Sequence, residues 1–578
     1  MKTPQRLFWL FILLHTMLWT LGPWLTRDSL PHDTLESITW GMQWQLGYNK
    51  HPFLAAWLSN GVSTLFNATE WPVYLLAQLA VASTFIITWR FATKLLPPLH
   101  AIIAALALEG ILYYNINSFN LTPDSLQSPL WALLTLFFYQ ATKTQYIRYW
   151  LATGMVVALC IMTKYQIAML LLPMMLFCLV NKHARASFFN PGLYMAISLA
   201  FILLSPHLIW LWQHDVITIR YALGVPYDHT KNNSHLLCLL RYLFDCVAYI
   251  AGCFLLLWPF YGGKKSASVI VSPEVSEPRA LASGVPLPDG KAKKTSLSLS
   301  RFDWQILIFL GTGPCLLTAV FCLINGDSIP PRWSTPYFFL TGIMVMAWLK
   351  PNVSLASVIV SPNLSEPRAL ASGFPLPDGR GSASSDETMS AAVSFVQLKQ
   401  FAITLILMSG LLWAGRMSTI MLHSNIKSDA YLPNKIIAAK LTQLWHQHYP
   451  TPLHYVGGAH YLVGSTIPYM KERPTAYFSW DLKENPWLNE QDLIKQGGVL
   501  VWDEGSNYFW DAYSPNFNTL PDEIVRHFPN LIILGMYTFY RSTPAVIPIK
   551  VGVALLPPGE ALSISSASGE NSTSFSAM

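Results

Sequence analysis

The sequence predicts a mainly α, polytopic membrane protein with a small C-terminal α/β domain, and three observations predict it. The 578 residues are 52% hydrophobic and 12% charged, with 22 Trp, 25 Tyr and a mean hydropathy of +0.35, whereas a soluble chain carries about a quarter charged residues. Apolar runs long enough to span a bilayer, some only marginally, recur as far as residue 415. Beyond about residue 420 the composition becomes that of an ordinary globular domain.

The first run, Leu7 to Leu25, is too long for a signal peptide and lacks a small-residue cleavage site, so it is expected to stay as the first transmembrane helix. Further runs lie near 71 to 93, 99 to 115, 125 to 142, 149 to 163, 165 to 180, 191 to 212, 237 to 261, 303 to 323, 335 to 349 and 398 to 415, which makes about eleven helices by length. Lys2 and Arg6, Arg90 and Lys94, Lys143 and Arg148, Lys182 and Arg185, Lys264 and Lys265, and Lys350 fall on alternate loops, so the positive-inside rule makes those loops cytoplasmic. The extracytoplasmic face then receives the loop 26–70, the short loop 116–124, Lys164, the loops 213–236 and 325–334, and the chain after about 420. On this topology the polar residues of interest share one face.

Two cytoplasmic loops, within 264–300 and 351–395, carry a near-duplicate block, Ser268 to Gly290 and Ser357 to Gly379, differing at three positions. Rich in Pro, Ser and Gly and without an apolar face, the blocks are expected to be disordered inserts of the kind surface loops tolerate. In the C-terminal domain, 421–556, the segments Leu453 to Gly457, Thr475 to Trp480, Val499 to Trp502 and Leu531 to Met536 read as strands, and Asn434 to His446 and Asn489 to Gln496 as helices. The Ser-rich tail 557–578 reads as unstructured.

Several function classes are excluded. The net charge of +6 is accounted for by cytoplasmic loops, and no nucleic-acid-binding motif accompanies it, so nucleic acid is not an expected partner. No glycine-rich phosphate loop or dinucleotide fingerprint is present. The seven cysteines lie in or beside apolar runs and form neither a readable disulfide framework nor a zinc pattern. Charged residues beside a hydrocarbon slab are costly and point to chemistry; His32-Asp33-Thr34-Leu35-Glu36, just past the first span, is the leading cluster. Glu36 is one helical turn from Asp33, so the two share a face if this segment is helical. His32, Asp33, Glu36 and His51 offer ligands for a divalent metal, the sole cofactor the sequence raises, in a spacing that matches no sharp metal motif.

Asp33, followed fourteen residues later by Gly47-Tyr48 and then His51-Pro52-Phe53-Leu54, resembles the acidic first-loop motif and the GYxxHPPL element of glycosyltransferase family 39. Thr122-Pro123-Asp124-Ser125, Thr163-Lys164-Tyr165, Ser205-Pro206-His207 with Trp210 and His214-Asp215, and Pro331-Arg332-Trp333-Ser334-Thr335-Pro336 are similar to its later signatures, in the same order. Asn485-Pro486-Trp487 to Trp502 is similar to the periplasmic domain of its bacterial members. Two positions depart from the pattern. Thr34 replaces the glutamate of the usual Asp-Glu pair, and Lys50 stands where an acidic residue is common, which leaves the second carboxylate and any metal held through it open.

The resemblance implies a GT-C fold and a multi-pass enzyme of the inner (plasma) membrane, its C-terminal domain extracytoplasmic. Such an enzyme moves a sugar from a polyprenyl-phosphate donor to a lipid or protein acceptor such as lipid A or lipopolysaccharide, with the donor's tail among the membrane lipids. Asp33, Glu36 and Asp124 are then the candidate catalytic carboxylates, the first as base toward the acceptor. Lys164, Arg332, His51 and Lys50 are candidates to stabilise the departing phosphate. His214 and Asp215 are expected in a substrate loop, where capping the preceding helix is the stronger reading. Each has a structural alternative: helix capping for Asp33 and Asp124, a solvated face for Glu36, snorkelling for Lys164, interface anchoring for Arg332. The competing class, a lipid-linked sugar transporter or flippase, places polar groups near the midplane on broken helices and repeats its hairpins; here the sole repeat is hydrophilic.

Overall fold

The computed structural model describes residues 2–224, 234–265, 299–326, 329–349, 385–422, 429–503, 519–540 and 548–559. Both repeat blocks and the tail beyond 559 lie outside the described residues. The chain is mainly helical and divides into two compact units. One comprises 1–27, 50–55 and 62–423; the other comprises 28–49, 56–61 and 424–578. Much of the first loop therefore clusters with the C-terminal domain rather than with the helices that flank it in sequence.

In the first unit, six helices among the described residues are long and apolar enough to cross a membrane: Pro4–Thr26, Trp71–Ala92, Pro191–Gln213, His235–Tyr261, Arg301–Asn325 and Val396–Leu422. Pro98–Gly110, Ile147–Thr163 and Tyr165–Val180 are shorter apolar helices. The run 335–349 is interrupted: a 3-10 segment Pro331–Tyr337, carrying Pro331 and Pro336, precedes a nine-residue helix Thr341–Leu349. Proline supplies no N–H to an α-helical ladder, which favours such a break.

Lipid gives helices no hydrophobic drive to associate, so close approach of small residues does much of the packing. A Cβ on Gly110 would lie 2.1 Å from the backbone of Gly252, and one on Gly154 would lie 2.2 Å from the Ala196 carbonyl oxygen. A buried carboxylate in this unit is held by three donors: Asp303 accepts from Lys143 Nζ at 3.0 Å, from Tyr139 Oη at 2.9 Å and from Ser300 Oγ at 2.7 Å. His15 Nδ1 lies 3.1 Å from the Glu109 carboxylate.

The second unit is built on a five-stranded sheet: β1 (Tyr455–Gly458), β2 (Thr475–Phe478), β3 (Gly498–Asp503), β4 (Ile532–Phe539) and β5 (Ile549–Leu556), in the order β2-β1-β3-β5-β4. β2, β1 and β3 run parallel, in register Tyr455 with Thr475 and Val456 with Val499. β5 pairs antiparallel with β3 and β4, with a bulge between Ile533 and Gly535. β1 and β3 are buried along their whole length, as parallel strands covered on both faces are. One sheet face packs Tyr455, Tyr477, Leu500, Trp502 and Ala554 against Leu493, Ile524 and Phe528. The four strands read from sequence are present, shifted at their ends; β5 is an additional one.

Candidate functional site

In the second unit the helix His32–Met42 carries the first acidic cluster. Its cap position is Pro31 and no side chain caps it, so Asp33 lies inside the first turn and the capping reading does not describe it. The helix is held by the helix His460–Thr466: Thr39 Oγ1 donates to the Gly464 carbonyl at 2.9 Å, and His32 Nδ1 lies 3.3 Å from Ser465 Oγ. The His32 ring stacks on Tyr461 with centroids 4.1 Å apart, and its backbone N–H donates to Asp429 Oδ2 at 3.2 Å.

One turn on, Glu36 is 5% exposed and its carboxylate meets His460 Nε2. Ligand atoms of His32, Asp33 and Glu36 lie within 4.8 Å of one another. The helical spacing thus places both carboxylates and an imidazole on one face, a donor set chemically suited to a divalent ion or to proton exchange with a bound hydroxyl. His51, the fourth potential ligand, belongs to the other unit.

The Gly47-Tyr48 motif is also in the second unit. Tyr48 is fully buried, stacks on Trp40 at 5.6 Å, and accepts a hydrogen bond from the Gln45 N–H at 3.2 Å. Burial pushes its phenol well above the usual range, against a smaller opposing effect of that hydrogen bond. Tyr48 therefore stays neutral and packs the loop.

The first unit brings together Asp124 and Lys164. Thr122 and Ser125 form a reciprocal capping box at the start of the helix Pro123–Thr144, so capping is done by Thr122 and Asp124 is left for other work. Lys164 ends the helix Ile147–Thr163 in an extended conformation, φ −164° and ψ 136°, which turns its side chain out of the helical path. Its Nζ lies 2.6 Å from Asp124 Oδ1 and 4.8 Å from the centroid of the Trp333 ring. Gln127 fixes this turn by donating to the carbonyls of Cys160 at 2.7 Å and Lys164 at 3.1 Å. Gln166 ties in the Pro331–Tyr337 segment, donating to the Trp333 carbonyl and, at 3.0 Å, to Tyr337 Oη. Arg332, one residue from Trp333, is exposed; Lys50 and His51 are half-buried in the same unit. A cation held between a carboxylate and an indole face can receive an anionic ligand without moving far.

His214 ends the helix Pro191–Gln213: its ring stacks on Trp210 at 4.3 Å and its Nδ1 lies 2.7 Å from the Trp210 carbonyl. Asp215 and Val216 follow with φ +52° and +51°. This is the geometry of the expected helix cap, and the strained pair turns the chain into the helix Ile217–Gly224.

Two residues that sequence reasoning gave no role stand out. His207, fully buried, contacts Tyr165 Oη through Nε2 at 2.7 Å, beside Lys164 in the chain. Its signal was the Ser205-Pro206-His207 motif. His460 follows a strand-ending Gly457-Gly458-Ala459, a strand–turn–helix pattern that was legible but unused.

The family described as dolichyl-phosphate-mannose-protein mannosyltransferase matches residues 50–210. No curated protein sequence matches the chain. Among solved structures, ArnT from Cupriavidus metallidurans bound to undecaprenyl phosphate is 13% identical, with a TM-score of 0.55, covering 95% of this chain and 97% of that one. The apo state of the same protein gives a TM-score of 0.56 at the same identity and coverage. Residues 50–210 thus carry the mannosyltransferase family's sequence pattern, and the chain has the C-type glycosyltransferase fold of ArnT.

Proposed function

We propose that this chain is an integral-membrane glycosyltransferase that moves a sugar from a polyprenyl-phosphate donor to an envelope acceptor on the extracytoplasmic face, the acceptor being lipid A, lipopolysaccharide or protein. The observation that carries the reading is the Asp124–Lys164 pair, 2.6 Å apart, inside the stretch that matches the mannosyltransferase family. The similar ArnT structure is bound to undecaprenyl phosphate, which supports a polyprenyl-phosphate donor here.

In the transfer, an acceptor oxygen forms a bond to the anomeric carbon while the bond from that carbon to the phosphate oxygen breaks. The bonding pair leaves with the polyprenyl phosphate, and a hydroxyl acceptor gives its proton to a carboxylate. Asp33 is assigned as that carboxylate and Glu36 as its neighbour. Lys164, with Arg332, Lys50 and His51, is assigned to the phosphate that departs. A divalent ion at His32, Asp33 and Glu36 would add positive charge beside the acceptor.

Proteoliposomes holding the purified chain and a radiolabelled polyprenyl-phosphate sugar test the proposal. Label appearing covalently on an added envelope acceptor supports it. Label crossing the bilayer without covalent transfer makes the protein a flippase instead.

A further inference from the structure

In the C-terminal domain, His460 joins the sheet to the acidic helix His32–Met42. β1 ends at Gly458, whose φ of +130° is closed to ordinary side chains and where a Cβ would lie 2.0 Å from the Val501 carbonyl oxygen. Glycine lets the chain turn at once from strand into helix: the Ala459 N–H donates to Val501 at 2.9 Å, and His460 is the first helical residue. His460 therefore sits at the carboxyl end of the central parallel strand. β2 and β3 flank β1 on opposite sides, so the strand order reverses there, and sheets of this kind bind ligands in the crevice at that point.

The ring is held from several sides. His460 lies over Phe478 with centroids 4.6 Å apart, and its Nδ1 is 3.3 Å from Ser479 Oγ. Ser479 holds φ +58°, a conformation few non-glycine residues adopt, immediately after β2. The opposite nitrogen, Nε2, meets Glu36. An ionised carboxylate only accepts, so Nε2 is the donor, and in the neutral ring Nδ1 accepts from the Ser479 hydroxyl. The chain of donors runs from Ser479 through His460 to Glu36, on the helix face where Glu36 and Asp33 approach within 4.8 Å.

We infer that His460 is a positioning residue for the Glu36 carboxylate, so that the carboxyl edge of β1 and β2 sets the geometry of the catalytic carboxylates. The inference rests on the transferase reading above. Its groups belong to one compact unit, 28–49 with 424–578. The elements packed on the helix His460–Thr466 bring further charged groups: His32 and Asp33 on the helix His32–Met42; Lys435, Lys440, His446 and His448 on Asn434–His448; and Asp503 at the end of β3.

The test uses the full-length chain in proteoliposomes and compares wild type with His460→Phe, His460→Gln and Glu36→Gln. His460→Phe should lower kcat about 100-fold, the scale of a misplaced catalytic group, while KM for the donor stays within about twofold. His460→Gln retains an N–H donor and should recover about 10-fold of that loss. Adding His460→Phe to Glu36→Gln should cost no more than about twofold further, because both act through one carboxylate. Wild-type kcat in His460→Phe, or the full loss in a folded His460→Gln, overturns the inference. If His460→Phe does not fold, the kcat of His460→Gln alone and with Glu36→Gln decides. Absence of transfer by wild type rejects the transferase reading itself, and this inference with it.

Discussion

Asp124→Asn is expected to destabilise the protein by about 3 kcal/mol, the lower end of the cost of breaking a buried pair. The side chains of Lys164 and Asp124 are 13% and 9% exposed, with 2.6 Å between Nζ and Oδ1. At an effective dielectric near 20 the bare attraction at that distance is about 6 kcal/mol, and desolvation of both groups offsets much of it. Removing only the carboxylate leaves the ammonium desolvated. Trp333, 4.8 Å away, recovers part of the loss, on the order of 1 kcal/mol, which places the cost at the lower end. Lys164→Met should cost about as much, because it strands Asp124.

The double variant should lie within about 1 kcal/mol of either single, a coupling of about 3 kcal/mol. The assay is equilibrium unfolding of the purified full chain in mixed micelles, followed by tryptophan fluorescence, as a double-mutant cycle. Singles below about 1 kcal/mol, or a double equal to their sum, would show that the pair contributes no net interaction.

Asp33→Asn should reduce transfer at least 100-fold while leaving the unfolding midpoint within experimental scatter, since general-base contributions run to about 10²–10⁴-fold; normal turnover removes Asp33 from the chemistry. Gly458→Ala should destabilise by about 1–3 kcal/mol from backbone strain, with more from the 2.0 Å contact to Val501, read by thermal unfolding. Deleting residues 266–295, which span the first repeat block, should leave transfer unchanged; loss of transfer in a well-expressed deletion contradicts the inert-insert reading. Burial, then nearby Glu490 and Asp481, pushes the Tyr477 phenol from 10.0 up to about 12. Its contribution is therefore fully present below pH 10 and lost as pH rises toward 12, so alkaline unfolding of wild type in that window should be blunted in Tyr477→Phe.

Much of this architecture was legible because it rests on local rules. Apolar runs marked the helices, and alternation with turn residues marked four strands. The Asp33–Glu36 spacing forecast a shared face, which helix His32–Met42 provides. β5 was missed although Ile549 to Leu556 is a mostly apolar run, bounded by Pro548 and Pro557. The capping reading of Asp124 failed for a specific reason: Thr122, two residues earlier, completes a reciprocal box with Ser125. The Asp124–Lys164 and Glu36–His460 partnerships span 40 and 424 residues, and no local periodicity encodes contacts of that separation.

The described residues of 28–49, 56–61 and 429–559 form one compact unit although nearly the whole apolar helical part of the chain is synthesised between its first and last segments. During biogenesis the early segment, with its buried Trp40 and Tyr48, must wait for its partner strands to emerge. Until then it is a ligand for chaperones and a target for proteases. Variants that slow insertion of the intervening helices should therefore show first as degradation near the N-terminus, long before they show as a defect in the finished protein.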